Sequence, residues 1–136
     1  MQTFLPYATF EDAATVLDFR RLGKQRVEGV QILRILSTPD YVGAWANHPA
    51  VKMWRGYENA LKLYVNIMIK TWQERGYRNN LPSYEINPYE ICFPWWLGDE
   101  RLHASHKSNL LRKDPAYYRQ FNWNVPDNLP YFWPVK

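Results

Sequence analysis

A lone carboxylate within a run of cations is where this sequence first offers chemistry. Residues 20–31 read Arg20-Arg21-Leu22-Gly23-Lys24-Gln25-Arg26-Val27-Glu28-Gly29-Val30-Gln31. In a helix, Arg21, Lys24, Glu28 and Gln31 recur at spacings of three and four and share one face, while Leu22, Val30 and Leu33 turn toward a core. Glu28 then sits among Arg20, Arg21, Lys24 and Arg26. A carboxylate so placed can orient a cation or stabilise a reacting sugar, and the cations can meet phosphates. The same pattern also suits a solvated, charged helix face.

A second group lies late in the chain. His103, His106, Lys107, Arg112 and Lys113, with Ser105, Ser108 and Asn109 interleaved, read as a phosphate-contacting surface. Glu100, His103 and His106 stand at i, i+3 and i+6, and His48 could join them as metal ligands. The i+6 position drifts off the face, however, and no HExxH-like box is present, so no metal site is expected. Ser105 and Ser108 lie on a helix, not in a GxSxG turn, which argues against a Ser–His hydrolase.

Helices must position these side chains. Residues 10–17 read as a short helix with Thr9 as N-cap, and residues 20–36 as a second, closed by Ser37-Thr38-Pro39. The third is expected to run unbroken over residues 48–76. Val51, Trp54, Glu58, Leu61, Val65, Met68 and Trp72 form its stripe and Gly76 its C′ residue. Glu58 would thus lie on a core-facing stripe, tied to a buried partner or facing a pocket. Residues 79–94 are irregular, residues 99–111 form a fourth helix, and Asp114-Pro115 starts a turn carrying Tyr117 and Tyr118. Residues 125–136 should be extended. No segment alternates as a strand. The expectation is an all-α, compact, single-domain bundle of three to four main helices over residues 1–136. An N-terminal arm and a Pro- and aromatic-rich C-terminal wrap complete it.

The chain has 136 residues, enough for one core. Its 17 Lys plus Arg against 13 Asp plus Glu give a net charge of +4, permissive of nucleic acid. The single cysteine, Cys92, excludes an internal disulfide and a CxxC zinc knuckle. The start lacks the pattern of a signal peptide, and no apolar stretch reaches the length of a membrane span. A cytoplasmic protein without cofactor or membrane contact, acting as a monomer, is expected. Aromatic residues make up 17% of the chain. They fill cores, and they also stack on bases. Tyr84, Tyr89, Phe93, Trp95 and Trp96 fall among prolines.

Several motifs together carry a resemblance. They are Leu22 with Glu28 six residues on, a helix ending in Arg75-Gly76-Tyr77, and a late Ser-His helix leading to Pro115-Ala116-Tyr117-Tyr118. In these the chain resembles the pyrimidine-dimer DNA glycosylases with AP-lyase activity, the endonuclease V type. More specifically, it resembles a bacterial and phage branch. That branch is marked by Phe4-Leu5-Pro6-Tyr7, the run from Arg20 to Arg26, His48-Pro49-Ala50-Val51 and Pro94-Trp95-Trp96-Leu97-Gly98.

The resemblance implies a compact helical protein whose N-terminus threads between helices. The α-amino group of the first residue attacks C1′ of the damaged nucleotide, displaces the base and leaves an imine to the sugar. A glutamate on the first long helix assists, and Glu28 matches it. Arg21, Lys24 and Arg26 become the phosphate clamp, with Arg20 and Gln31 beside it. The chain departs from the family at two places. Gln2 stands where well-known members expose threonine after methionine removal, so the amine would be that of Met1. Val27 stands where an arginine usually precedes the glutamate.

The chemistry follows from acidity. A free α-amine titrates near 7.7–8.0, so a substantial fraction is neutral at neutral pH, against about one lysine in a thousand. The base must leave the stack, so a pocket is expected, with Trp54, Tyr57, Glu58, Trp95 and His48 as candidates for its lining. Two other readings stay open. One is a nucleic-acid-binding or nucleotide-modifying protein on the same scaffold without lyase chemistry. The other is a metal-dependent hydrolase using Glu28, Glu58 and the histidines.

Overall fold

Local capping fixes where most of the helices start. The computed structural model describes residues 1–135, which contain α1 (Phe10–Val16), α2 (Phe19–Leu36), α3 (Pro49–Lys52), α4 (Glu58–Glu74), α5 (Glu100–Lys113) and α6 (Pro115–Tyr118), with no strand among them. Asp18 caps α2 by accepting from the N–H of Arg21 at 3.4 Å. Asp99 does the same for α5 through Arg101, at 3.0 Å, and Asp114 for α6 through Tyr117, at 3.2 Å. These carboxylates satisfy N–H groups that have no partner inside the helix. Thr9 does precede α1, but its side chain makes no cap bond.

The end of α4 is a Schellman turn. Gly76, at φ +91°, donates to Gln73 O at 2.9 Å, and Tyr77 donates to Trp72 O at 3.3 Å. The accompanying contact between the flanking side chains is a stack of Tyr77 on Trp72, 4.3 Å between centroids.

The expected single helix over residues 48–76 is two helices. The chain turns at Met53–Tyr57, where Gly56 adopts φ +89°, a conformation without cost only for glycine. Val51 and Trp54 remain in the core. Glu58 does not. It opens α4, half-buried, and accepts from the N–H of Gly56 at 3.2 Å. A carboxylate there suits the positive end of the helix dipole. Its expected place on a core stripe is therefore corrected.

The core forms where α2 crosses α4. Leu22, Val30 and Leu33 meet Leu61, Val65 and Met68, all buried. The approach is close enough that a Cβ at Gly29 would collide with Val65. Trp54 and Trp96 pack edge-to-face at 4.9 Å in the same core. The N-terminal arm threads into this body: Gln2, Thr3, Phe4 and Leu5 are buried. Phe4 N donates to Gln25 Oε1 at 2.7 Å, Tyr64 donates to Phe4 O at 2.9 Å, and Trp54 Nε1 donates to Thr3 Oγ1 at 3.0 Å. At the other end, the extended wrap is stitched onto α5. Leu129 N donates to Ser108 Oγ at 3.0 Å and Phe132 N to Ser105 Oγ at 3.1 Å. The fold is compact and all-α. No helix among the described residues is long and apolar enough to cross a membrane.

Candidate active site

The threaded arm ends at a cleft of about 750 Å³. Its lining comes from the arm (Met1, Gln2, Phe4), from the start of α2 (Asp18 to Arg21, Lys24, Gln25, Glu28), and from the end of α5 onward (Lys113, Asp114, Tyr117, Tyr131). Glu28 lies at the junction. Its Oε2 accepts from the backbone N–H of Gln2 at 3.1 Å and from Gln25 Nε2 at 3.4 Å, and Lys24 Nζ stands 4.0 Å from Oε1. The Gln2 bond places the α-amino group of Met1 one peptide unit from the carboxylate's partner. His48 lies within electrostatic range of both. Burial lowers its pKa first, the Met1 amine lowers it further, and Glu28 opposes them.

A second network holds the rim. Arg21 Nη1 meets Asp18 Oδ1 at 3.1 Å, and Asp18 accepts a short hydrogen bond from the buried phenol of Tyr118. Asp18 N in turn donates to Tyr118 Oη at 3.0 Å. Burial raises the Asp18 carboxyl, but the Tyr118 hydrogen bond and Arg21 outweigh it, so the group stays below its usual range. Arg21 is thus held in place at the cleft, not left to swing.

The structure brings together Met1, Glu28, Arg20, Arg21 and Lys24, with Lys113 joining from the end of α5. Gln31 is exposed one turn beyond and lines no part of the cleft. Arg26 is corrected. It turns away from Lys24, is buried, lies 4.4 Å over the Trp72 ring and donates to Asn79 Oδ1 at 2.6 Å. A guanidinium engaged in this way cannot clamp a phosphate.

The expected phosphate-contacting face of α5 is corrected at its two histidines, which the arm covers, while Arg112 and Lys113 stay exposed. His106 Nδ1 accepts from Leu5 N at 2.8 Å, and His103 donates from Nδ1 to Leu5 O at 2.7 Å while its Nε2 accepts from Gly98 N at 2.9 Å. Both rings are buried. Arg112 bonds Asn109 and Asp127 O, and Lys107 Nζ lies 4.9 Å over the Tyr7 ring.

The pocket candidates scatter. Trp54 is fully buried in the core, and Trp95 is 62% exposed and outside the cleft. Tyr57 and Glu58 line a separate hollow of about 220 Å³. His48 caps α3 by accepting from Ala50 N at 3.0 Å, between Trp45 and Trp133. The metal reading has no ligand set: His103 spends both ring nitrogens on Leu5 O and Gly98 N, and His106 spends Nδ1 on Leu5 N. No group of three or more His, Cys, Asp or Glu among the described residues could hold a metal ion.

Sequence reasoning missed Gln25, Asp18, Tyr118 and Tyr131. Gln25 was recoverable from its i, i+3 spacing to Glu28, and Asp18 as a capping residue one position before the helix. Nothing local pointed to Tyr118 or Tyr131, which reach the site from over 80 residues away along the chain.

A family model described as pyrimidine dimer DNA glycosylase matches residues 1–85. That span includes the threaded arm, all of α2 and Glu28. No curated protein and no solved structure matches the chain.

Proposed function

Because the chain belongs to the pyrimidine dimer DNA glycosylase family, we propose that it excises a damaged or modified pyrimidine from DNA through an imine to the Met1 α-amine and then cleaves the strand. The substrate nucleotide enters the cleft with its phosphates on Arg20, Arg21, Lys24 and Lys113. A volume of about 750 Å³ is ample for a base and its sugar. Phe4, Tyr117 and Tyr131 supply the apolar surface against which an unstacked base can lie.

The neutral amine attacks C1′. The C1′–N bond to the base breaks, and the base leaves with that electron pair and takes up a proton. The attached nitrogen gives up one proton, the C1′–O4′ bond breaks with O4′ taking a proton up, and the opened sugar is left as a protonated imine. Glu28 then removes a proton from C2′, and the electrons expel the 3′-phosphate by β-elimination. Before that step, the same carboxylate stabilises the positive charge that develops on the sugar. Gln2 N and Gln25 hold Glu28 in place for both tasks. One chain supplies every group named, and the protein is taken to act as a monomer.

The observation that carries this reading is the 3.1 Å bond from Gln2 N to Glu28 Oε2. It fixes the flexible end of the chain beside the carboxylate, and ordering a terminus costs conformational entropy that the four buried arm residues offset. The test is borohydride trapping on abasic-site DNA. A covalent adduct mapping to the N-terminal peptide is expected. No adduct, or an adduct on a lysine, refutes the mechanism.

A further inference from the structure

A ladder of stacked groups runs from the mouth of the cleft across α2 to the end of α4. The Arg26 guanidinium lies 4.4 Å from the Trp72 ring, Trp72 stacks on Tyr77 at 4.3 Å and 25°, and Tyr77 stacks on Phe19 at 6.1 Å and 23°. Arg20 stands loosely over Phe19, at 5.7 Å. The inner rungs have structural duties. Trp72 Nε1 donates to Arg78 O at 2.6 Å, Tyr77 closes the Schellman turn, and Arg26 bonds Asn79.

The outer rung has no such duty. Phe19 opens α2 and is 50% exposed, and Tyr77 is 41% exposed. The first position of a helix accepts most residues, so helix formation does not call for a large aromatic ring there. Phe19 also lines the cleft, next to Arg20 and Lys24. An ordered, exposed aromatic step flanked by cations, and continuous with the site, matches one ligand chemistry: a flat π-surface joined to phosphates.

We propose that Phe19, backed by Tyr77, is a stacking platform for an unpaired nucleobase of the bound DNA, adjacent to the nucleotide held in the cleft. The inference rests on the DNA-binding part of the proposed function, not on its imine step. Drawing one nucleotide out of the duplex leaves a neighbouring base without a stacking partner, and a preformed ring at the mouth replaces that partner. Arg20 moves from the ring to a phosphate, or stays above the base as a second layer. Every base has a π-face, so the platform is indifferent to sequence. A fully paired duplex presents no open face and gains nothing from it.

The test compares wild type, Phe19→Leu and Phe19→Trp. Leucine keeps an apolar helix-forming residue without the ring, and tryptophan restores a ring. Fluorescence anisotropy reads affinity for three undamaged DNA probes: a single strand, a duplex with one bulged base, and a fully paired duplex, each over a range of salt. Phe19→Leu should weaken binding to the first two by about 5- to 100-fold. The salt slope should not change, since no phosphate contact is lost. Phe19→Trp should bind as wild type, and the paired duplex should distinguish none of the three. Equal affinity of Phe19→Leu for all probes relative to wild type overturns the platform. So does an equal loss on all three probes, or a failure of tryptophan to restore binding. Borohydride trapping by the wild-type protein is scored separately. Ring-dependent binding without trapping removes the imine reading alone, and trapping without ring-dependent binding removes the platform alone.

Discussion

The backbone N–H of Leu5 donates to Nδ1 of His106 at 2.8 Å, joining the arm to α5. That bond requires an unprotonated nitrogen. Nε2 of His106 is buried without a polar partner, and the ring packs edge-on against Tyr131, at 6.0 Å between centroids. Burial first, and His103 beside it, hold the His106 pKa down to about 3. The arm that carries Met1 therefore depends on a neutral histidine.

Stability should fall as pH drops below about 6.5. An unfolded His106 takes up a proton there, while the folded one stays neutral until about pH 3. Between those values the unfolded state binds more protons, so stability rises with pH and levels off above about 7. The loss is on the order of a few kcal/mol by pH 4. The carboxylates begin to contribute only toward the lower end of the window. Urea midpoints at pH 7.5 and 5.0 should differ for wild type and much less for His106→Gln. Equal wild-type midpoints would rule out a buried neutral ring.

Glu28→Gln should retain the bond from Gln2 N through its own carbonyl oxygen, keep the fold and bind DNA. Strand cleavage should drop by about 100- to 10,000-fold, the usual loss on removing a positioned base. Single-turnover assays on abasic-site DNA measure it. Cleavage within a few-fold of wild type would leave Glu28 a structural partner of Gln2 and Lys24.

Lys24→Ala and Arg26→Ala should part company, although the residues are two apart. Losing Lys24 removes a phosphate contact and lowers the slope of log K against log salt by about one. Losing Arg26 leaves that slope unchanged. It costs about 1–3 kcal/mol of stability instead, because Asn79 and the Trp72 ring lose their partner. Salt titrations and denaturation curves of both variants separate the two effects.

Tyr118→Phe removes the hydrogen bond to Asp18 and leaves Asp18 N without its acceptor. A loss of about 1–3 kcal/mol is expected for unpaired buried polar groups. With Asp18 less firmly held, Arg21 should also clamp less well, and DNA affinity should fall. Full affinity in a destabilised Tyr118→Phe protein would show that Arg21 needs no such tether.

Adding one serine ahead of Met1 should abolish trapping, because the amine moves one residue beyond Glu28. Thermal stability should stay within about 1 kcal/mol, since the buried residues Gln2 to Leu5 keep their bonds. Mass spectrometry of the trapped complex, with the extension verified intact, decides it.

Residue spacing alone determined that α2 exists, that Leu22, Val30 and Leu33 turn inward, that Arg21, Lys24 and Glu28 share a face, and that Gly76 closes a helix. Each depends on neighbours within four or five residues, which is the reach of helix geometry and capping. What the fold decided depends on partners far along the chain. Arg26 and Lys24 are alike as letters, but only Arg26 faces Trp72. His103 and His106 look like a basic surface until the arm and residues 129–132 close over α5. Glu58 left the core stripe because one glycine, Gly56, turned the chain ahead of it. The bond from Gln2 N to Glu28, which brings the start of the arm to the carboxylate, was beyond the reach of local patterning. It follows from burying Thr3, Phe4 and Leu5 between α2, α4 and α5, and that burial is a property of the assembled core, not of any one segment.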